Sequence, residues 1–104
     1  MLLVLTTVPN PEEAEELANG IVREKLVACV QILPKMTSIY IWEGEVQHES
    51  EHLLLIKTIE SRFKELEEFI QANHSYQTPE IAAFATDGVS RDYLKWITDY
   101  VSPT

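Results

Sequence analysis

The sequence of 104 residues has one cysteine, three glycines, and eight basic residues against seventeen acidic ones. The single cysteine, Cys29, cannot form an internal disulfide, so no oxidising compartment is needed and we expect a cytoplasmic protein. Three scattered glycines exclude a glycine-rich phosphate loop. The formal net charge of −9, without a basic stripe, argues against nucleic acid and anionic membranes as partners.

Signatures of catalysis and of membrane insertion are also missing. The sequence contains no Cys-x-x-Cys, no His-Glu-x-x-His and no nucleophile elbow. Its apolar start ends early at Thr6 and Thr7 and has no basic segment, unlike a signal peptide or a membrane span. With 45% hydrophobic residues, the chain is expected to form one globular domain spanning residues 1–104, without enzymatic activity.

The first half of the chain shows a strand, a helix and a long β-rich region. Residues 2–8 form a short apolar run typical of a buried strand. Asn10 and Glu13 have the spacing of a capping box at the start of a helix. Residues 29–42 predict a strand that Pro34 interrupts, because proline has no amide hydrogen to donate. A turn then leads into another strand over residues 45–59.

The second half predicts two helices separated by a strand. Ser61 and Ser90 are expected as the N-caps of the helices, and residues 79–86 as the strand. The order is therefore β-α-β-β-α-β-α. Its first six elements match the ferredoxin-like βαββαβ arrangement, an α+β fold with two helices on one face of a four-stranded antiparallel sheet. The last helix is an addition at the C-terminus.

The long central hairpin carries the most distinctive run of the sequence, residues 38–44. Ile39 and Ile41 alternate there with Tyr40 and Trp42, so both faces of the hairpin present large apolar side chains. Large exposed apolar surface on a small domain usually marks a contact with a partner. We therefore expect the chain to self-associate through these four residues.

Six segments, in the same order along nearly the whole chain, resemble the CutA family of divalent-cation tolerance proteins. They are TTVP (6–9), KLVACVQI (25–32), SIYIWEG (38–44), LLIKT (54–58), HSYQTPEI (74–81) and YLKWI (93–97). The resemblance implies a ferredoxin-like homotrimer, similar in architecture to the PII-type signalling proteins. It also implies a role linked to copper and other divalent ions, with no firmly bound cofactor.

Three residues are candidate metal ligands. His74 offers an imidazole and Cys29 a thiolate, both of which bind copper and zinc. Glu80 follows a proline whose fixed φ presents it rigidly. Each has a structural alternative: a histidine that caps a helix, a small buried hydrophobe, and an edge carboxylate.

Three positions depart from the pattern of the family, namely Thr6, Asn73 and Ser75. Some bacterial members resemble this chain but have a cysteine and a second histidine at the first two positions, and a proline is usual at the third. The cysteine and the histidine are residues that a copper site would use. Of that set, His74 alone is left in this sequence.

Lys57, Tyr76 and Trp42 are candidates for a ligand cleft between subunits. Lys57 lies in an apolar strand and needs a carboxylate partner or an anionic ligand, while the two aromatic residues serve equally as packing groups. Three hypotheses follow. The chain is a homotrimer that binds divalent metal ions, a PII-like sensor of a small ligand or partner protein, or a structural trimer scaffold.

Overall fold

The computed structural model describes residues 1–101 and shows an α+β fold with an antiparallel sheet and three helices. No helix within these residues is long and apolar enough to cross a membrane. A short 3₁₀ turn, Glu60–Arg62, precedes the second helix. The elements in chain order are β1 (Leu2–Val8), α1 (Pro11–Arg23), β2 (Cys29–Ile32), β3 (Met36–Trp42), β4 (Glu45–Thr58), α2 (Phe63–Asn73), β5 (Ala82–Ala85) and α3 (Arg91–Val101).

Helix α1 is closed at both ends by local hydrogen bonds. The Asn10 side chain accepts a bond from the Glu13 amide at 2.8 Å, which confirms the predicted cap. After the helix, Lys25 adopts a left-handed conformation with φ of 58°. This turn lets the Leu26 amide donate to the Ile21 carbonyl at 3.1 Å, a Schellman-type ending. Both ends of α1 are therefore fixed by hydrogen bonds of the local backbone and of the Asn10 side chain.

Helix α2 begins differently from the prediction. Ser61 was expected to cap it, but this residue lies inside the 3₁₀ turn. The helix starts at Phe63 after Arg62, whose side chain makes no capping bond. The Arg62 guanidinium instead donates to the Lys25 carbonyl at 3.0 Å and pairs with Glu65 at 3.2 Å. The start of α2 is therefore positioned by a tertiary contact with the turn after α1 and not by a side-chain cap.

Strand β5 is shorter than the predicted run over residues 79–86. It comprises Ala82–Ala85 and pairs with β1 only from Leu2 to Leu5. Pro79 has no amide hydrogen, so the segment before Ala82 cannot extend the ladder in a regular way. Residues 74–81 therefore form a connection that crosses the end of the sheet rather than a strand within it.

The sheet has five strands, one more than predicted. The order is β2-β4-β1-β5, and β3 pairs separately with β4. The strand expected over residues 29–42 is divided at Pro34, and its two halves pair with different parts of β4. Strand β4 is long enough, at 14 residues, to belong to the sheet by one half and to the hairpin by the other. The hairpin contributes to the elongated shape of 46 × 26 × 22 Å.

The two faces of the sheet are covered unequally. Side chains such as Val4, Leu54 and Ile56 are fully buried beneath α1 and α2. The opposite side, here called the open face, consists of Leu3, Leu5, Leu53, Leu55 and Lys57, all partly exposed. Helix α3 lies against only one end of the open face, at Lys57. There Ile97 and Val101 of the helix form a second apolar cluster with Ala28. Much of the open face is therefore left uncovered by the part of the chain that the structure describes.

Candidate functional site

The hairpin of β3 and β4 presents apolar side chains on both faces. Its turn places Glu43 at φ 51° and Gly44 at φ 81°, the two positive φ values that match the twist of a two-residue hairpin. Ile41 is 71% exposed on one face and Trp42 is 64% exposed on the other. The predicted alternation of aliphatic and aromatic residues is confirmed, and neither face is covered within the chain.

The aromatic face of the hairpin looks onto a cleft of about 750 Å³. Its opposite wall is the segment that follows α2, residues 76–80. The lining combines aromatic rings with carboxylates: Tyr40, Trp42, Glu49, Glu51, Tyr76 and Glu80. A cleft of this size and composition suits a small ligand or the side chains of a partner.

Glu51 is the most deeply buried acidic side chain of the cleft, with 8% of its surface exposed. Its Oε2 accepts a hydrogen bond from the Tyr76 hydroxyl at 2.8 Å. Burial, the hydrogen bond to Glu51 and the charge of that carboxylate together raise the pKa of Tyr76. The hydroxyl therefore stays protonated and remains a donor at neutral pH.

Sequence reasoning missed Glu51, although a signal was present. Residues 51, 53, 55 and 57 alternate to one side of β4, so an acid and a lysine bracket two leucines on the same face. The hydrophilic composition of residues 47–52 instead favours a solvated hairpin. A strand face on which two leucines lie between an acidic and a basic side chain indicates a contact surface.

His74 occupies a structural position at the C-cap of α2. Its Nδ1 accepts a hydrogen bond from the Tyr76 amide at 3.0 Å, because an amide can only donate. The proton is then on Nε2, which donates to the Thr7 carbonyl at 2.7 Å. Neither nitrogen keeps a free lone pair for a metal while these bonds persist. The ring therefore joins the end of α2 to β1, through the Thr7 carbonyl, rather than bonding the last carbonyls of its own helix.

The three metal candidates are not brought together within one chain. Cys29 lies opposite Lys57, whereas Thr7, which His74 contacts, lies opposite Leu53. Four residues separate these positions along β4, or about 13 Å at the rise of a strand. Glu80 is exposed at the cleft. No group of three or more His, Cys, Asp or Glu side chains within residues 1–101 could hold a metal ion.

The three cleft candidates divide into two sets. Trp42 and Tyr76 both line the cleft. Lys57 does not, because it lies at the other end of β4, partly buried against α3. Its Nζ is 5.5 Å from the centroid of the Tyr93 ring, a cation–π contact. No carboxylate in residues 1–101 forms an ion pair with it.

Thr6, Asn73 and Ser75 depart from the family pattern, and the structure defines the environment of each. Thr6 is fully buried in the core, and its hydroxyl has no hydrogen-bond partner among residues 1–101. The Asn73 side chain donates to the Phe69 carbonyl at 2.8 Å. Ser75 donates to the Glu13 carboxylate at 2.9 Å, which ties the end of α2 to α1. Asn73 and Ser75 line one cavity between α1 and α2, whereas Thr6 lies apart from them in the core.

Replacing Thr6 with valine is expected to raise the free energy of unfolding by about 1 kcal/mol, because the change removes an unsatisfied buried hydroxyl and keeps the shape. Thr58→Val is the matched control. That residue is equally buried, but its hydroxyl donates to the Leu26 carbonyl at 2.7 Å, so its loss should destabilise the protein. Urea unfolding of both variants at one protein concentration measures the difference. Equal effects of the two changes would contradict this account of Thr6.

Comparison with known proteins gives a consistent result over almost the whole chain. Residues 2–100 match the model of the family described as CutA1 divalent ion tolerance protein. The chain is 50% identical over 96 residues to the chloroplastic protein CutA of Arabidopsis thaliana, which covers 92% of this chain. It is 45% identical over 97 residues to the divalent-cation tolerance protein CutA of Thermus thermophilus, which covers 93% of this chain.

The lengths of these relatives differ. The match spans 53% of the Arabidopsis protein, so the chain corresponds to about half of that relative, but 94% of the Thermus protein. Among solved structures, the crystal structure of CutA1 from Oryza sativa superimposes with a TM-score of 0.96 at 44% identity, covering 99% of this chain and 94% of the rice chain. Sequence and backbone thus agree on one set of relatives.

Proposed function

Because the chain belongs to the CutA1 divalent ion tolerance family, we propose that it forms a homotrimer that binds divalent ions such as copper(II) and zinc(II) at sites shared between subunits. It acts in the cytoplasm and catalyses no reaction. The observation that carries this proposal is the exposed apolar surface of the hairpin, where Ile39, Ile41 and Val46 are 64%, 71% and 61% exposed.

Assembly follows from the apolar surface that the single chain leaves open. The three aliphatic residues lie on one face of the hairpin, where Ile41 is directly paired with Val46. The open face of the sheet adds leucines that α3 does not cover. An isolated domain rarely keeps apolar patches of this kind in water. The strand order β2-β4-β1-β5 supports a ferredoxin-like protomer, and the choice of a trimer rests on what the resemblance of the six motifs to the CutA family implies.

A metal site would be shared between subunits because residues 1–101 of one chain bring too few ligands together. His74 is engaged through both ring nitrogens, and no three metal-binding side chains of residues 1–101 converge. The residues of a single chain therefore do not fit a tightly held ion. A neighbouring subunit would supply further ligands near Glu49 and Glu80, both at the rim of the cleft. Carboxylates and imidazoles combined in this way bind divalent ions.

A second candidate function is the sensing of a small ligand, as in the PII-type proteins. The cleft supports it, since a volume of about 750 Å³ with Tyr40, Trp42 and Tyr76 in its walls matches a ligand pocket. This candidate shares the trimer with the first. The two differ in what enters the cleft, an inorganic ion or an organic molecule.

The test compares the wild-type protein with Ile41→Glu. Light scattering should give three times the chain mass of 11.9 kDa for the wild type and one chain for the variant, because a buried charge at the interface is unfavourable. Calorimetric titration with copper(II) and zinc(II) should then show binding to the wild type that is at least about tenfold weaker in the variant, since shared sites are lost.

Gln71→Glu is the control, because it adds the same charge at an exposed position on α2. This variant should keep both the mass and the metal binding of the wild type. A monomeric wild type would overturn the assembly. A trimer that binds neither ion, or an Ile41→Glu monomer that binds both as tightly, would overturn the shared metal sites.

A further inference from the structure

We propose that Lys57 of one subunit completes the cleft of the next by pairing with Glu51, so that each cleft is built from two chains. This inference rests on the proposed assembly and states which residues join across it. It begins with two side chains of opposite charge that are withdrawn from water yet have no ionic partner in residues 1–101.

Glu51 is the acidic member. It is 8% exposed and accepts a bond from the Tyr76 hydroxyl, but no cation pairs with it in the described chain. A neutral hydroxyl compensates only part of the cost of burying a carboxylate. Its position in a wall of the cleft leaves room for a cation to approach.

Lys57 is the basic member. All eight lysines and arginines lie in residues 1–101, and six of them are exposed. The two exceptions are Lys57 and Arg62, and Arg62 already pairs with Glu65. Lys57 rests against the Tyr93 ring without a carboxylate. It is therefore the one partly buried lysine or arginine that has no ion pair within residues 1–101.

These two residues cannot pair within one chain. They lie on the same face of β4, six residues apart, which is about 20 Å along the strand. A second copy placed head to tail brings Lys57 of one chain to Glu51 of the next, so that Leu53 and Leu55 of each chain lie between two such contacts. Because this contact uses different surfaces on the two partners, it is heterologous, and in the proposed trimer the third copy closes the ring. Tyr40 and Trp42 then flank the arriving ammonium group.

Charge reversal tests the pairing. Glu51→Lys and Lys57→Glu should each weaken the assembly by roughly 100-fold in dissociation constant, because like charges then face each other. The double variant restores opposite charges and should return to within about tenfold of the wild type. Sedimentation measures the dissociation constants of the wild type and the three variants. Additive losses in the double variant would overturn the proposal.

Zero-length coupling with a carbodiimide tests the same contact without substitution, which covers the case of a variant that fails to fold. The wild-type protein with natural isotopes and a ¹⁵N-labelled sample are unfolded, refolded together and coupled. Mass spectrometry should find the peptides of Lys57 and Glu51 joined as mixed-isotope pairs. An oligomer in which other lysines couple but these peptides do not would overturn the pairing and leave the assembly intact, whereas a monomeric wild type would overturn the assembly itself.

Discussion

Replacing His74 with alanine is expected to lower the free energy of unfolding by about 3 kcal/mol. The change removes two hydrogen bonds, from Nε2 to the Thr7 carbonyl at 2.7 Å and from the Tyr76 amide to Nδ1 at 3.0 Å. Leaving a largely buried polar group without its partner costs about 1–3 kcal/mol. The contact with the Tyr76 ring, at 4.8 Å between centroids, is lost as well. Chemical unfolding of the wild type and the variant measures the effect.

The control for this prediction is His48→Ala, on the exposed part of the hairpin. Removing that imidazole breaks no hydrogen bond described in the structure and should change stability by less than about 0.5 kcal/mol. If His74→Ala were as mild, the residue would not join α2 to β1. A loss of metal binding without a loss of stability would restore His74 as a ligand.

Tyr76→Phe is expected to cost about 2 kcal/mol at neutral pH, because a hydrogen bond to a charged group is lost and Glu51 is left buried without a donor. The pKa of Tyr76 is raised in the folded protein, by burial first and then by Glu51. The stabilisation is therefore complete below about pH 10, the ordinary pKa of tyrosine, and is lost as the pH rises towards the folded-state value.

The measurement is the free energy of unfolding of both proteins between pH 7 and pH 11. The difference between wild type and Tyr76→Phe should be largest at neutral pH and should narrow above about pH 10. Tyr93→Phe provides the comparison, since that tyrosine stacks on Trp96 at 5.9 Å, and its hydroxyl has no hydrogen bond among those described. A gap that widens with pH would contradict the assigned role of the Tyr76 hydroxyl.

The capping and turn residues account for the parts of the fold that sequence predicted well. Asn10 with Glu13 fixed the start of α1, and the Glu43-Gly44 pair marked the hairpin turn, because both act on neighbours within a few residues. Ser61 failed as a cap for the opposite reason. Arg62 donates to the Lys25 carbonyl after α1, 37 residues away in sequence. The sequence pattern around Ser61 does not predict a contact at that separation.

The candidate site was predicted less completely. Trp42 and Tyr76 both line one cleft of the single chain, but Lys57 lies at the other end of the strand. His74 was proposed as a ligand on its chemistry, which is the same whether or not its nitrogens are occupied. Its hydrogen bonds depend on the position of β1, and only the folded chain brings Thr7 within reach.

The sequence by itself determined the α+β class, the order of the elements apart from the division of the second strand at Pro34, the exposed aromatic hairpin and membership of the family, because these depend on periodicity and on motifs read along the chain. The tertiary structure decided which charges are buried and which are paired. The burial of Glu51 and Lys57 and the distance between them follow from the sheet, which fixes both side chains on one face of β4. These are properties of the packed chain rather than of the residue type.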